Sequence, residues 1–300
     1  MEVGAITFKA FTKVRLVAMS PNPQNPNELS DAASYSIEAA RRILAGKKLF
    51  VMTGAGISTD SGIPDYRGEG RVARHPMTYD VFMGAFEARQ RYWARSYVGW
   101  SRIALAKPNP GHFALATAES EGALNYLVTQ NVDGLHQEAG SKAVVDLHGR
   151  LDRVVCLSCR KLITRFEMDE LLQELNPGIT KDNTVEFTPD GDAEIEGTAN
   201  FRVPNCQSCD GILKPDVVFF GESVPTQRVE QALNQLASSD AMLVAGSSLT
   251  VNSGFRFAKQ AAKSGKPLVI VNIGPTRGDT LAIAKIEANT SLALERLLID

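Results

Sequence analysis

Short, almost wholly apolar runs recur along the chain and alternate with stretches of helical period. Lys48–Met52, Tyr126–Thr129, Val144–Leu147, Ala241–Ala245 and Leu268–Val271 are such runs. Four or five apolar residues without polar alternation suit strands covered on both faces. Between them lie helix-like segments. One runs from a cap at Ser30 or Asp31 to about Ala45 and stops at Gly46; the others are Pro110–Ser120, Thr226–Ser238, Gly254–Ser264 and Ser291–Leu298. Caps at one end and glycine at the other mark their limits. Strand–helix alternation of this kind predicts an α/β chain, a Rossmann-like doubly wound parallel sheet.

Two stretches break the alternation. Residues 71–107 are helical and rich in arginine and aromatics, whereas residues 152–213 hold few strand-like runs. We expect them to form a helical module and a metal-binding module of a smaller inserted domain. The large domain would then comprise 31–70, 108–151 and 214–300. Residues 1–30 read as a flexible tail closed by the turn-rich linker Pro21–Asn27.

Composition narrows the function. A chain of 300 residues with 44% hydrophobic residues and net charge −2 is ordinary globular material. Near-neutral charge gives no general pull toward nucleic acid, and no apolar stretch is long enough for a bilayer. Neither is expected as a partner, and the chain is expected to be a monomer. The four cysteines form two CxxC pairs, Cys156 with Cys159 and Cys206 with Cys209. In a chain of this size such pairs read as metal ligands kept in a reducing compartment. The expected location is cytoplasmic, or the mitochondrial matrix if the source is eukaryotic. Four thiolates fill the coordination sphere of one Zn2+ and leave no position for reactive water, so the expected zinc is structural.

Chemistry gathers where the predicted strands end. Thr53 to Arg67 reads TGAGISTDSGIPDYR, and Gly54-Ala55-Gly56 directly follows a strand. Glycines there let backbone approach a phosphate-bearing cofactor. The third glycine of a dinucleotide fingerprint is replaced by Thr59, and Pro64-Asp65-Tyr66-Arg67 intrudes early. Gln130, Asn131 and Asp133 follow the Tyr126–Thr129 strand; they suit a ligand crevice or, equally, a capped turn. His148 ends the next strand; a lone histidine more often makes structural hydrogen bonds than catalyses, but beside the Gln-Asn-Val-Asp strand both carboxyl ends could line one crevice. Gly246-Ser247-Ser248 and Asn272-Ile273-Gly274 follow the last two strands and offer amides and hydroxyls to phosphate and ribose.

GAGIS…GIPDYR, TQNVDGLH, His148-Gly149, the paired CxxC motifs, PDVVFFGE (Pro215–Glu222), GSSL (Gly246–Leu249) and VNIG (Val271–Gly274) together resemble the sirtuins, in order, from about Ala33 onward. RQRYWARSYVGW (Arg89–Trp100), LKPDVVFFGE and NIGPTRGD (Asn272–Asp279) resemble the class II, sirtuin-4-type branch most. The resemblance implies an NAD-dependent protein lysine deacylase that consumes NAD as co-substrate. An acylated lysine on a protein or peptide attacks the ribose C1′, nicotinamide leaves, and an alkylimidate resolves to 2′-O-acyl-ADP-ribose. His148, similar in position to the family's general base, and Asn131 would be catalytic; an imidazole titrating near neutrality fits the task of deprotonating a ribose hydroxyl. Gly54, Ala55, Gly56, Ser58, Asp65 and Arg67 would hold or close over the cofactor, Ile63 and Asp133 its carboxamide, and Gln130 and Asn131 its ribose. Gly246, Ser247, Ser248, Asn272, Ile273, Gly274 and Thr290 would serve the adenosine half. Gly221–Ser223, with Val218, Phe219, Gly221 and Glu222, and Thr250–Ser253, with Val251 and Asn252, would be the two edges that hold an extended peptide by strand addition. Tyr92 and Arg95 match a Tyr-x-x-Arg pair for acidic acyl groups. The competing reading is a packed helix with Tyr92, Trp93, Tyr97 and Trp100 inward. Mono-ADP-ribosyl transfer and a non-catalytic NAD-sensing scaffold are the alternatives in function.

Overall fold

The computed structural model describes residues 29–66, 76–179 and 198–299. The tail before Leu29, Arg67 and the acidic stretch 188–197 lie outside them. Six parallel strands form the main sheet: β1 (Leu49–Thr53), β2 (Leu124–Thr129), β3 (Val144–Asp146), β7 (Ala241–Ala245), β8 (Leu268–Val271) and β9 (Ala284–Ile286). Their order is β3-β2-β1-β7-β8-β9, so the chain leaves β1 to one side and later resumes on the other at β7. The crevice beyond the carboxyl ends of β1 and β7 is the switch point where such sheets bind ligands.

Successive side chains on each strand serve opposite cores, as a period of two requires. Leu49, Val51, Leu243 and Val269 face α1 (Asp31–Leu44), α4 (Pro110–Ser120) and α9 (Thr290–Leu298). Phe50, Met52, Met242, Val244 and Ile270 face α7 (Thr226–Ser238) and α8 (Asn252–Lys263). Each such side chain, fully removed from water, contributes roughly 1.5–3 kcal/mol before entropy is charged against it.

A second, antiparallel sheet has the order β5-β4-β6, from β4 (Gly149–Cys156), β5 (Leu162–Thr164) and β6 (Leu213–Val217). It shares one core with α2 (Tyr79–Gly84), α3 (Phe86–Leu105) and α6 (Arg165–Leu175), in which Tyr92, Trp93, Tyr97, Trp100, Val154 and Leu213 are all buried. A short helix, α5 (Leu135–Glu138), follows β2.

The expected strands at 241–245 and 268–271 and the helices Pro110–Ser120 and Thr226–Ser238 are present with those bounds, and the strands at 48–52, 126–129 and 144–147 with ends shifted by one or two residues. The second sheet and β9 are unexpected. Charged Arg150, Asp152 and Arg153 disguise β4, and Lys214-Pro215-Asp216 disguises β6. Proline is tolerated because β6 is an edge strand, where a missing N–H can face away from the ladder. Helix α8 opens at Asn252, two residues before Gly254, and so takes in part of the expected peptide edge. Among the described residues no helix is long and apolar enough to cross a membrane.

Candidate active site

The loop after β1 does not become a helix. Two short 3-10 turns, Ala55–Ile57 and Thr59–Ser61, replace it. Its glycines answer first to another loop. A Cβ on Gly56 would sit 2.9 Å from Gly246 Cα, and one on Gly54 would sit 2.8 Å from Ser247 Cβ. Gly246, at φ +64°, could carry no side chain, since its Cβ would meet Ile57 N at 2.4 Å. The sequence suggested glycine for a phosphate; the close approach found here is backbone to backbone across the switch point. Gly56 N–H completes it by donating to Gly246 O at 2.8 Å.

Ser58, Asn131 and Asp133 form one cluster. Ser58 Oγ donates to Asp133 Oδ2 (2.7 Å), and Asn131 Nδ2 donates to Gly54 O (3.1 Å) and Ser58 Oγ (3.0 Å). Leu135 N–H donates to Asp133 Oδ1 at 3.0 Å, so the capped-turn reading holds as well. Burial pushes the Asp133 carboxyl above its ordinary range, against the opposing pull of the Leu135 and Ser58 bonds. Ile63 is buried beside them, while Asp65 is half-buried.

His148 follows β3. Its Nδ1 lies 3.0 Å from Gln130 O, and its Nε2 lies 2.9 Å from Ser253 Oγ. A carbonyl only accepts, so Nδ1 carries the proton and Nε2 presents its lone pair to the Ser253 hydroxyl. Burial lowers this imidazole to about 4, with the Gln130 bond opposing and the Arg228 charge assisting. The expectation of titration near neutrality is thereby corrected: in the free protein the ring is neutral throughout the physiological range. Gln130 also accepts from Ser247 Oγ at 2.8 Å, which links the ends of β2 and β7.

A layer that the sequence did not reveal lies beneath. Thr53 Oγ1 lies 2.9 Å from Thr129 Oγ1 and 2.8 Å from His136 Nε2, and Asn131 N–H donates to Thr129 Oγ1 at 3.1 Å. The His136 ring packs against His112 with centroids 4.8 Å apart. Ser253 was read only as part of a peptide edge; its partnership with His148 depends on α8 starting early.

Among the residues expected to serve the adenosine half, Ser248 and Gly274 are half-buried at their turns, and Ile273 is exposed. Asn272 Nδ2 folds back to Ile273 O at 2.7 Å. Thr290 opens α9 and is buried, beside Asn289, whose side chain holds Asp60 at 2.9 and 3.1 Å.

On the other flank, Val218 N–H donates to His148 O at 2.7 Å. Phe219 N–H donates to Glu222 Oε2 (2.9 Å), and that carboxylate pairs with the buried Lys214 at 3.0 Å. Gly221 turns this segment at φ +82°. Across from it, Val251 is half-buried and Asn252 is exposed, its Oδ1 accepting from Arg277 at 2.7 Å. Tyr92 meets Phe82 and Phe219 edge-on, at 5.5 and 5.2 Å. Trp93, Tyr97 and Trp100 are also packed inward, as the helix reading expects, but Arg95 is half-buried one turn from Tyr92.

The four cysteine sulfurs lie within 4.8 Å of one another, with Cys156–Cys209 at 3.5 Å and Cys159–Cys206 at 3.8 Å. Four sulfurs at 2.3 Å from a tetrahedral zinc stand about 3.8 Å apart, so the set fits that ion. Both knuckles close alike: Arg160 and Asp210 take positive φ, and their N–H groups return to Cys156 O and Cys206 O. Along β4 from Gly149 to Cys156 the separation from His148 is about 23 Å, too far for a role in chemistry there.

The Sir2 family profile matches residues 54–253, from the first glycine of the β1 loop to the serine on His148. The chain belongs to the Sir2 family. An NAD-dependent protein deacetylase of Xanthomonas campestris pv. campestris (strain 8004) is 54% identical over 252 residues, 83% of this chain and 86% of the relative. NAD-dependent protein deacetylase 1 of Streptomyces coelicolor is 54% identical over 242 residues, covering 79% and 81%. A solved Sir2–p53 peptide–NAD+ complex superposes with TM-score 0.71 at 31% identity, over 87% of this chain and 96% of that one. A Sir2 structure bound to acetylated peptide gives 0.70 at 30% identity, with the same coverage. The crevice at the switch point of this Sir2 fold is therefore the place to look for its chemistry.

Proposed function

We propose that this chain works at that crevice as an NAD-dependent protein lysine deacylase, with an acylated protein or peptide as second substrate. The observation that carries the reading is the placing of His148: its Nδ1 is fixed on Gln130 O, and its Nε2 meets Ser253 Oγ at the end of the expected peptide edge. When bound, NAD supplies a glycosidic bond whose cleavage releases nicotinamide and makes ADP-ribose an acyl acceptor. Asp133, with Ser58 and Asn131, is suited to the nicotinamide end, because two of its acceptor positions are already oriented. Asn131 and Gln130 lie where a ribose would be bared. His148 Nε2 takes a proton from a ribose hydroxyl once the Ser253 hydroxyl yields its place; no prior deprotonation is needed. Ser247, Ser248 and Asn272 offer small polar groups to the adenosine half. One Zn2+ held by Cys156, Cys159, Cys206 and Cys209 supplies structure only.

Nicotinamide release with an acetyl-lysine peptide tests the reading. His148→Tyr is expected to lower steady-state release by roughly 10²–10⁴, the scale of a lost general base, because turnover stalls after the first nicotinamide leaves. Equal release by both proteins would overturn the assignment. Mass spectrometry distinguishes the rival chemistry: acyl-ADP-ribose marks deacylation, and an ADP-ribosylated partner marks mono-ADP-ribosyl transfer.

A finer reading concerns the acyl group and the branch. Arg95, one turn from Tyr92 at the Phe219 loop, supports acidic or longer acyl groups. It accords with the sirtuin-4-type class II motifs, whereas the bacterial relatives do not discriminate between branches. Arg95→Leu is expected to abolish turnover of glutaryl- or succinyl-lysine and to spare acetyl-lysine. Equal loss on both substrates would reject the acidic pocket. The thiolate ligands call for a reducing setting, which we take to be the cytoplasm.

A further inference from the structure

The outer face of α8 carries Arg256, Lys259 and Lys263, and its twelve residues contain no acid. Arg277, from the loop after β8, stands over the start of the same helix. Its Nη1 donates to Thr250 O (3.2 Å) and to Asn252 Oδ1 (2.7 Å), and its guanidinium lies 4.1 Å from the Phe255 ring centroid. Lys259 Nζ approaches the same ring at 5.5 Å. The loop is fixed as well: Arg277 N–H donates to Ser248 O (2.9 Å), and Asp279 accepts from Thr276 Oγ1 and Lys285 Nζ behind it.

Three points make this more than a solvated surface. Both side-chain bonds of Arg277 leave from Nη1, so Nη2 and Nε keep their donors for another acceptor. Among the described residues no carboxylate pairs with Arg256, Lys259 or Arg277. A cation beside the first turn of a helix opposes its dipole, so the charge of Arg277, bonded there to Asn252, is not one that complements α8. A stacked and doubly bonded guanidinium is already ordered, and an incoming anion need not bear that entropy.

We propose that Arg277, with Arg256 and Lys259, forms an electropositive flank of the peptide groove and selects acyl-lysine substrates that carry a carboxylate side chain close to the modified lysine. The proposal rests on the reading of Thr250–Ser253 as a peptide edge: Arg277 grips Thr250 and Asn252, and Arg256 follows within about one turn. The opposite edge offers no such selection, because Glu222 is occupied by Lys214.

The test uses the full chain and a set of acetyl-lysine peptides identical except for glutamate, glutamine or lysine at the positions flanking the acetylated residue. KM for peptide and for NAD are measured separately. The wild type is expected to prefer the glutamate peptides over the lysine peptides by about three- to ten-fold, through peptide KM, the scale of one or two exposed ion pairs. The preference should shrink at high salt. Arg277→Glu should abolish or invert the ratio, and Arg256→Gln should reduce it. The ratio is read within one protein, so loss of active material does not mimic the effect. Turnover without a charge preference, or a ratio unchanged in Arg277→Glu, would overturn the proposal and leave the deacylase reading intact. A rise in the KM for NAD with the peptide ratio preserved would assign Arg277 to the cofactor and overturn it too. Absence of nicotinamide release with every peptide would overturn both readings.

Discussion

Three of the four histidines are held without charge, and each for a structural reason. His112 accepts from Asn109 N–H through Nδ1, His136 faces Thr53, and His148 donates to Gln130 O. Burial keeps His112 and His148 at about 4 and His136 well below its ordinary value. Unfolded imidazoles titrate near 6.5. Between pH 6.5 and 4 the unfolded chain therefore binds protons that the folded chain refuses, and stability falls as acid is added. Buried Asp133 and Asp146, whose carboxyls are raised, act oppositely; their penalty eases toward low pH, within the carboxylate range. The imidazoles should dominate from pH 6.5 to about 5. Unfolding free energy measured in denaturant should drop across that window, and His112→Gln should make the slope shallower by up to about 1.4 kcal/mol per pH unit. An unchanged slope would mean that His112 is charged in the folded protein. Sequence made the residue types at the strand ends readable. It could not supply the proton on His148 Nδ1 or the depression of its titration, because both depend on a carbonyl eighteen residues away in the chain and on burial.

Elements were readable where local signals and tertiary demands agree. Asn109-Pro110 starts α4 with a side-chain cap and a proline in the first turn, and the helix begins where the sequence says. Its cap does further duty. Asn109 Oδ1 accepts from Gly111 N–H and Ser291 Oγ, both at 3.0 Å, while Nδ2 donates to Ile57 O (2.7 Å) and Ser61 Oγ (2.9 Å). One buried amide thus ties α4, α9 and the loop after β1. Asn109→Ala is expected to cost about 2–4 kcal/mol, more than an ordinary cap, because several buried partners are left unsatisfied. Thermal denaturation checks it; a loss below 1 kcal/mol would reduce Asn109 to a simple cap. Strands β4 and β6 were illegible for the complementary reason. Their charged residues and proline oppose strand propensity, and only pairing within the second sheet overrides it.

At the scale of the molecule, the sequence foretold a parallel sheet and a zinc set, but not the antiparallel sheet that connects them. β4 leaves the crevice at Gly149 and ends on Cys156, so one strand runs from the candidate site to the cysteine set that fits zinc. Chelation is expected to remove one zinc per chain and lower the melting temperature by roughly 10 °C or more, since binding energy in such sites is folding energy. Cys209→Ser should behave alike. A zinc-free chain with unaltered melting would refute a structural ion.

The contact of Gly54 and Gly56 with Gly246 bears on how this site can be redesigned. Three positions spread over almost two hundred residues must stay without a side chain together, because a methyl on any one enters the backbone or Cβ of the facing loop. A library that varies one of them at a time will return only failures, and no compensating change nearby can make room in a main chain. Variation of the proposed adenosine site is therefore to be sought at its rim, at Ser248, Asn272 or Ile273, which are half-buried or exposed.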